Sequence, residues 1–190
     1  MRIIGLYFFA LLIAGSCISP LNEVKKDPES ITFTTDLENI DSLNQISLPS
    51  WKHLVSVKEG NAFSGKNESV LDNNNEFSVV FEQKFGYLHK ILPEKLTFSA
   101  MVNANAPMPE GSVVVSVSGN KYYRSYPIAE FIPKADNWYK VIASFNLPDS
   151  LLMSDQVKIY VWNRKTNVLR IDNPEVTLYF PANKDINESQ

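Results

Sequence analysis

Cysteine is almost absent from this 190-residue chain, which carries only Cys17. One thiol excludes an internal disulfide framework and a Cys-rich zinc site. Histidine is nearly as scarce, limited to His53 and His89, which removes the constellations of most metal hydrolases. No HExxH, GxSxG, GxGxxG or phosphate-loop spacing occurs. Although 21 acidic residues are present, no pair stands out on adjacent strands in the apolar setting that raises a catalytic carboxyl for glycoside hydrolysis. The chain therefore reads as a non-enzyme, and both histidines read as structural. A basic stripe is missing too. The 18 Lys and Arg are scattered and the formal net charge is -3, so nucleic acid is not expected as a partner. Beyond the first residues, no window of a dozen carries a helical stripe.

What is present begins with "MRIIGLYFFALLIAGSC". Arg2 precedes an apolar run over residues 3–14, then small residues lead to Cys17. The run is too short to cross a hydrocarbon core of roughly 30 Å as a helix, and its pattern is that of an exported signal peptide. "IAGSC" resembles a bacterial lipobox, which implies cleavage before Cys17 and its lipidation. Residues 1–16 are expected as signal peptide and residues 17–30, with two prolines and mixed charges, as the lipidated cysteine and a tether. The resemblance to lipoproteins implies an outer-membrane address, because Ile18 and Ser19 follow the cysteine without an aspartate. Residues 182–190 read as a polar tail.

Residues 31–181 have period two almost throughout. "ITFTTDLE", "WKHLVSV", "EFSVVFEQKF", "KLTFSAMVNA", "SVVVSVSG", "KYYRSYPI", "NWYKVIASFNL", "DQVKIYVWN" and "PEVTLYF" are rich in β-branched and aromatic residues. Each is bounded by Gly, Pro, Asn or Asp, as strands are. The alternation assigns Phe77, Val79 and Phe81 to one face of one strand, and Val157, Ile159 and Val161 to the interior of another. Gly119 and Asn120 are expected to turn the chain between two strands. Eight to ten short strands without helical crossovers predict an all-β antiparallel sandwich, a jelly roll. Lys84, Lys95, Lys121 and Lys158 fall near strand ends, where lysines guard sheet edges.

The stretch "AFSGKNESVLDNNNEFSVVFEQKF", with the later "NWYKVIASFNLPD" and "VKIYVWNRKTNVLRIDNPEVTLY", resembles the galactose-binding-like jelly rolls that include many carbohydrate-binding modules. It is similar to their versions in Bacteroidota surface lipoproteins. The resemblance implies carbohydrate as a ligand class. One departure is the "IDNP" at residues 171–174, where several sugar-binding relatives have "IDD". Asp172 is left either as a ligand to a structural calcium or as part of an Asn-Pro turn. No other cofactor is implied.

If Val157, Ile159 and Val161 face inward, then Lys158, Tyr160, Trp162 and Arg164 face outward. Tyr123 joins them in one of two registers of "KYYRSYPI", and Thr177 and Tyr179 are expected to join from the last strand. Tyr160, Trp162, Arg164 and Tyr123 are thus the candidate ligand-binding residues. The competing reading makes the aromatic face half-buried under loops or the N-terminal segment. Trp51 and Trp138, each at a strand start, read as structural. Two functions stay open: glycan capture, or docking of another cell-envelope protein.

Overall fold

The computed structural model describes residues 29–38, 50–164 and 167–182. The signal segment, Cys17 and the residues after 182 lie outside them. Among the described residues, eleven strands form two antiparallel sheets: β1 (Ser30–Thr34), β2 (Ser50–Lys52), β3 (Val57–Glu59), β4 (Asn67–Leu71), β5 (Val80–Lys84), β6 (Lys95–Ala104), β7 (Gly111–Val117), β8 (Tyr122–Pro127), β9 (Tyr139–Asn146), β10 (Gln156–Asn163) and β11 (Leu169–Tyr179). One helical turn, α1 (Phe85–Leu88), follows β5. The first sheet has the order β3-β4-β11-β6-β9, with β1 also on β11; the second has the order β2-β5-β10-β7-β8. From β4 onward most connections carry the chain from one sheet to the other, which is the interleaving of a jelly roll. The expected all-β sandwich is what the chain forms.

Apolar alternation drives this. Val157, Ile159 and Val161 of β10 and Val113 and Val115 of β7 are fully buried, and they face Leu96, Phe98 and Val102 of β6 and Ile171, Val176 and Leu178 of β11 in one cluster. Each such side chain contributes about 1.5–3 kcal/mol when removed from water. Trp51 is part of this core, packed edge-on to Phe81 at 5.4 Å, while Phe33 stacks on Phe81 at 5.1 Å. Gly119 and Asn120 turn the chain into β8 with φ of 70° and 56°, as the sequence implies.

Three expectations are corrected. "WKHLVSV" is not one strand: His53 sits in the left-handed region (φ 62°), a 3-10 turn over Leu54–Ser56 follows, and the chain crosses from the second sheet to the first. In "EFSVVFEQKF" the pleat starts only at Val80, so Val79 and Phe81 are buried and Phe77 is not. Third, Lys158 lies on β10, the central strand of its sheet, and Lys84 and Lys95 lie on strands flanked on both sides; only Lys121 adjoins an edge strand, β8.

The last strand serves two partners along one edge. Residues 169–171 pair with β4 and residues 175–179 pair with β1, while β6 runs along the other edge and shifts register between Asp172 and Glu175. At that bulge Asp172 is fully buried. Its Oδ2 accepts the Ser64 amide at 2.8 Å and its Oδ1 accepts the Asn173 amide at 2.7 Å, with Asn173 at φ 48°. Burial pushes the Asp172 carboxyl above the ordinary range, against the pull of these amides. The loop it anchors is held from the other side by Glu38, whose Oε1 accepts the Lys66 and Asn67 amides, both at 2.8 Å. Gly65 (φ 66°) lies so close that a Cβ there would collide with Glu38 Oε1.

At the opposite end Lys121 Nζ donates to both oxygens of Asp155, at 2.7 and 2.9 Å, and the Leu152 amide donates to Oδ2 at 2.8 Å. Hydrogen bonding from Lys121, before all else, holds the Asp155 carboxyl below its ordinary value of 3.8. A carboxyl depressed in the folded state binds its proton later than in the unfolded chain as pH falls. Its stabilisation is therefore complete above the unfolded value and is lost as pH drops through 3.8 and below. The Asp155→Asn variant should lose less stability than the parent between about pH 6 and about pH 3, measured as the difference in Tm at the two pH values.

Candidate functional site

The outward face of the second sheet is built row by row from its register. Lys158 of β10 lies beside Ser116 of β7, which lies beside Tyr123 of β8; Tyr160 lies beside Val114 and then Ser125; Trp162 lies beside Ser112 and then Pro127. On the other flank Lys158 pairs with Glu82 of β5, and Lys52 of β2 pairs with Val80. Tyr160, Trp162, Arg164 and Tyr123 are therefore brought to one face. Thr177 and Tyr179 are not, because β11 belongs to the first sheet. Trp138 packs at 6.0 Å against Phe63, away from this face, and His89 lies at 4.2 Å from the Phe180 ring with its Nδ1 accepting the Ile91 amide, a structural role.

The central addition is Phe77. Its ring meets Tyr160 edge-on at 5.6 Å, stacks on Trp162 at 6.3 Å and touches the His53 ring at 6.3 Å. Offset and edge-to-face pairs at such spacings are each worth about 0.5–1.5 kcal/mol beyond area burial. Tyr160 and Trp162 are half-buried beneath it, and Phe77 itself keeps 37% of its surface. The face is thus a shelf with one wall rather than a core layer, and β1 lies on the other sheet. Burial raises the Tyr160 phenol above its usual 10.0, with Tyr123 nearby adding to the effect.

Irregular backbone bonds hold Phe77 in place. The Asp72–Asn75 turn, in which Asp72 Oδ1 accepts the Asn74 amide at 2.8 Å, ends β4 early. Beyond it Asn163 N donates to Glu76 O at 2.8 Å and Ser78 N to Val161 O at 3.0 Å. Ser78 Oγ accepts the Val161 amide at 2.9 Å, standing in for a strand carbonyl. Deeper in, the Val79 amide donates to Ser69 Oγ (3.0 Å), Ser69 to Ser56 Oγ (2.8 Å) and Ser56 to the His53 carbonyl (3.0 Å). His53 Nε2 and Asn75 Oδ1 lie 2.8 Å apart, which ties the His53 turn to the segment that carries Phe77.

Lys52, His53, Phe77, Val80, Glu82, Lys158 and Tyr160 line an open cleft of about 390 Å³ on this face. Polar groups border the rings. Glu82 takes Lys52 on Oε1 and Lys158 on Oε2, both at 3.3 Å, and also accepts from Gln156. The Arg164 guanidinium lies 4.7 Å from the Trp162 ring centre, and the indole Nε1 donates to Glu76 at 3.4 Å. A smaller hollow of about 190 Å³ between Ser112, Pro127 and Arg164 continues the face past Trp162. Flat apolar ring faces edged by charged donors and acceptors suit a ligand that has both C–H faces and hydroxyls. Among the described residues no group of three or more His, Cys, Asp or Glu is placed to share a metal ion. Asp172 lies at the β11 bulge, in the other sheet, with both oxygens engaged by backbone amides.

Sequence reasoning missed Phe77, His53, Lys52 and Glu82 as neighbours of Tyr160. The one available signal was "DNNNE" directly before Phe77: such a turn-rich run releases the next residues from a strict pleat.

Several solved structures are similar to this chain. They include the xylan-binding module CBM15 (12% identity, TM-score 0.47, covering 81% of this chain and 100% of that one). A second is the C-terminal family 22 carbohydrate-binding module of Clostridium thermocellum Xyn10B (12%, 0.47, 77% and 92%). A third is a family 16 carbohydrate-binding module (16%, 0.42, 63% and 82%). No protein-family model and no curated protein matches this chain.

Ser78 is the bond most open to test. Removing Oγ leaves the buried Val161 amide without an acceptor, a loss of about 1–3 kcal/mol. Ser78→Ala should lower the unfolding free energy by that amount, read as a lower urea midpoint at unchanged m-value, and quench or shift Trp162 fluorescence as the Phe77 wall loosens.

Proposed function

We propose that this protein is a lipid-anchored, non-catalytic binding protein that captures glycan on the outward face of its second sheet. The observation that carries the reading is the ring cluster Phe77, Tyr160 and Trp162, walled on one side and bordered by Arg164, Glu82, Lys52 and Lys158. A sugar ring offers an apolar C–H face to such aromatics, and its hydroxyls reach the bordering donors and acceptors. Tyr123 stands one row off, at 49% exposure, where it extends the shelf for a longer chain. Binding asks only for presentation of these groups, and the reading assigns no bond-breaking step.

The anchor is part of the proposal. Lipidation of Cys17, after removal of residues 1–16, would tie the sandwich to the bacterial outer membrane by residues 17–30. Each buried acyl CH2 adds about 0.8 kcal/mol, so several chains on one cysteine hold firmly.

Glycan-array binding by the full chain tests the function. Saturable binding is expected, and Trp162→Ala and Phe77→Ala should each weaken it by a stacking-sized amount, about 1–3 kcal/mol. Tyr87→Ala, an exposed aromatic on α1, should leave it unchanged. Silence across the array from a folded chain would overturn the reading and turn the search to an envelope protein docked on the same face.

A further inference from the structure

We infer that the cleft beside Tyr160 selects an anionic sugar residue, a carboxylate- or sulfate-bearing unit, within the glycan chain; this rests on the glycan-binding reading above. The chain as a whole is acidic, at a formal -3, yet this end of the face is not. The strands on either side of β5 bring Lys52 and Lys158 onto one carboxylate of β5, Glu82. The alternation of β5 turns Val80, Glu82 and Lys84 to the same side, while Phe81 and Gln83 are buried.

Glu82 is itself saturated. Its side chain keeps only 15% exposure, and it receives Lys52, Lys158 and Gln156. The two lysine side chains are half-exposed, at 51% and 47%, and an ammonium has three donors. Each therefore retains N–H groups directed away from Glu82, at the edge of a cleft whose other sides are Tyr160, Phe77 and His53. Lys84 lies 5.9 Å from the Tyr87 ring at the next position along β5. Among the described residues two cations share one anion inside the cleft, which leaves one positive charge in excess there. A ligand carboxylate or sulfate would complete a two-by-two cluster beside the stacking rings, where a neutral sugar supplies only hydroxyls. Charge-assisted hydrogen bonds are about twice as strong as neutral ones, and that difference is the source of selectivity.

Lysines that guard a sheet edge would stand on an edge strand. Lys52 does stand on such a strand, β2, but Lys158 stands on the central strand, so edge protection does not explain the pair.

The test uses the full chain against a panel of uronate polysaccharides, each beside its carboxyl-reduced neutral counterpart, and against a sulfated glycan beside its desulfated form. At least a tenfold preference for one charged member over its neutral partner is expected. That preference should shrink as salt rises from about 0.01 to about 1 M, over which the screening length contracts from about 30 to about 3 Å. Lys52→Gln with Lys158→Gln should erase the preference while binding to the neutral partner persists. Glu82→Gln, which frees both lysines, should widen it, and Lys140→Gln on β9 should do nothing. Equal binding of charged and neutral partners would overturn this inference and leave the glycan reading intact. Binding to neither would overturn both. Whether the uronate or the sulfate arm responds identifies the acid.

Discussion

The arrangement of the outward face depends on a short chain of buried hydroxyls that crosses the sandwich. Val79, Ser69, Ser56 and the His53 carbonyl are joined donor to acceptor, and they link the β3–β4 ladder of the first sheet to the β2–β5 ladder of the second. Ser69 is in β4 of the first sheet, Val79 enters β5 of the second, and His53 is the point at which the chain passes between them. Without such partners the Val79 amide would be buried unpaired, which costs more than an ordinary hydrogen bond contributes. The chain of hydroxyls therefore fixes two irregular segments relative to each other, and those two segments carry His53 and Phe77.

Regular strands alone could not have produced the cleft. A pleated strand sends alternate residues to opposite faces, so a strictly alternating "EFSVVFEQKF" would have delivered Phe77 to the core with Val79 and Phe81. The interruption before Val80 moves one aromatic ring out of that series and sets it against Tyr160 and Trp162. Ser78 makes the interruption affordable, since its amide and hydroxyl both satisfy Val161 where the ladder has stopped. The positive φ at His53 is the matching irregularity where the chain leaves β2.

Legibility followed regularity. The sandwich, the buried valines of β7 and β10, the turn at Gly119 and Asn120, and the shared face of Tyr160, Trp162, Arg164 and Tyr123 could all be read, because each depends only on the two-residue period. Placement of Thr177 and Tyr179 failed because alternation gives a side of a strand but not the sheet to which the strand belongs. Lys158 was misread for a related reason: a strand end in sequence says nothing about an edge in space. Phe77 and His53 were missed because their positions are set by side-chain-to-backbone bonds across distances of 10 residues and more, such as Ser69 to Val79 and Ser78 to Val161. No local pattern encodes those.

The aromatic shelf and the lysine cluster lie on the same strands, and their proximity has a physical consequence. Phe77 and Tyr160 border the cleft in which Lys52 and Lys158 meet Glu82, so the local surroundings are less polar than open water and charge interactions there are screened less. The protein's overall negative charge repels an anionic polymer at long range, but within a screening length of about 8–10 Å the nearby lysines outweigh it. Stacking and charge would then act on the same ligand at different distances. In the proposed reading the rings would hold a sugar, and the lysines would distinguish among those held. That division requires the cation cluster to lie beside the shelf and not beneath it. The register achieves this, with Lys158 one pleat away from Tyr160 on the central strand and Lys52 reached across β5.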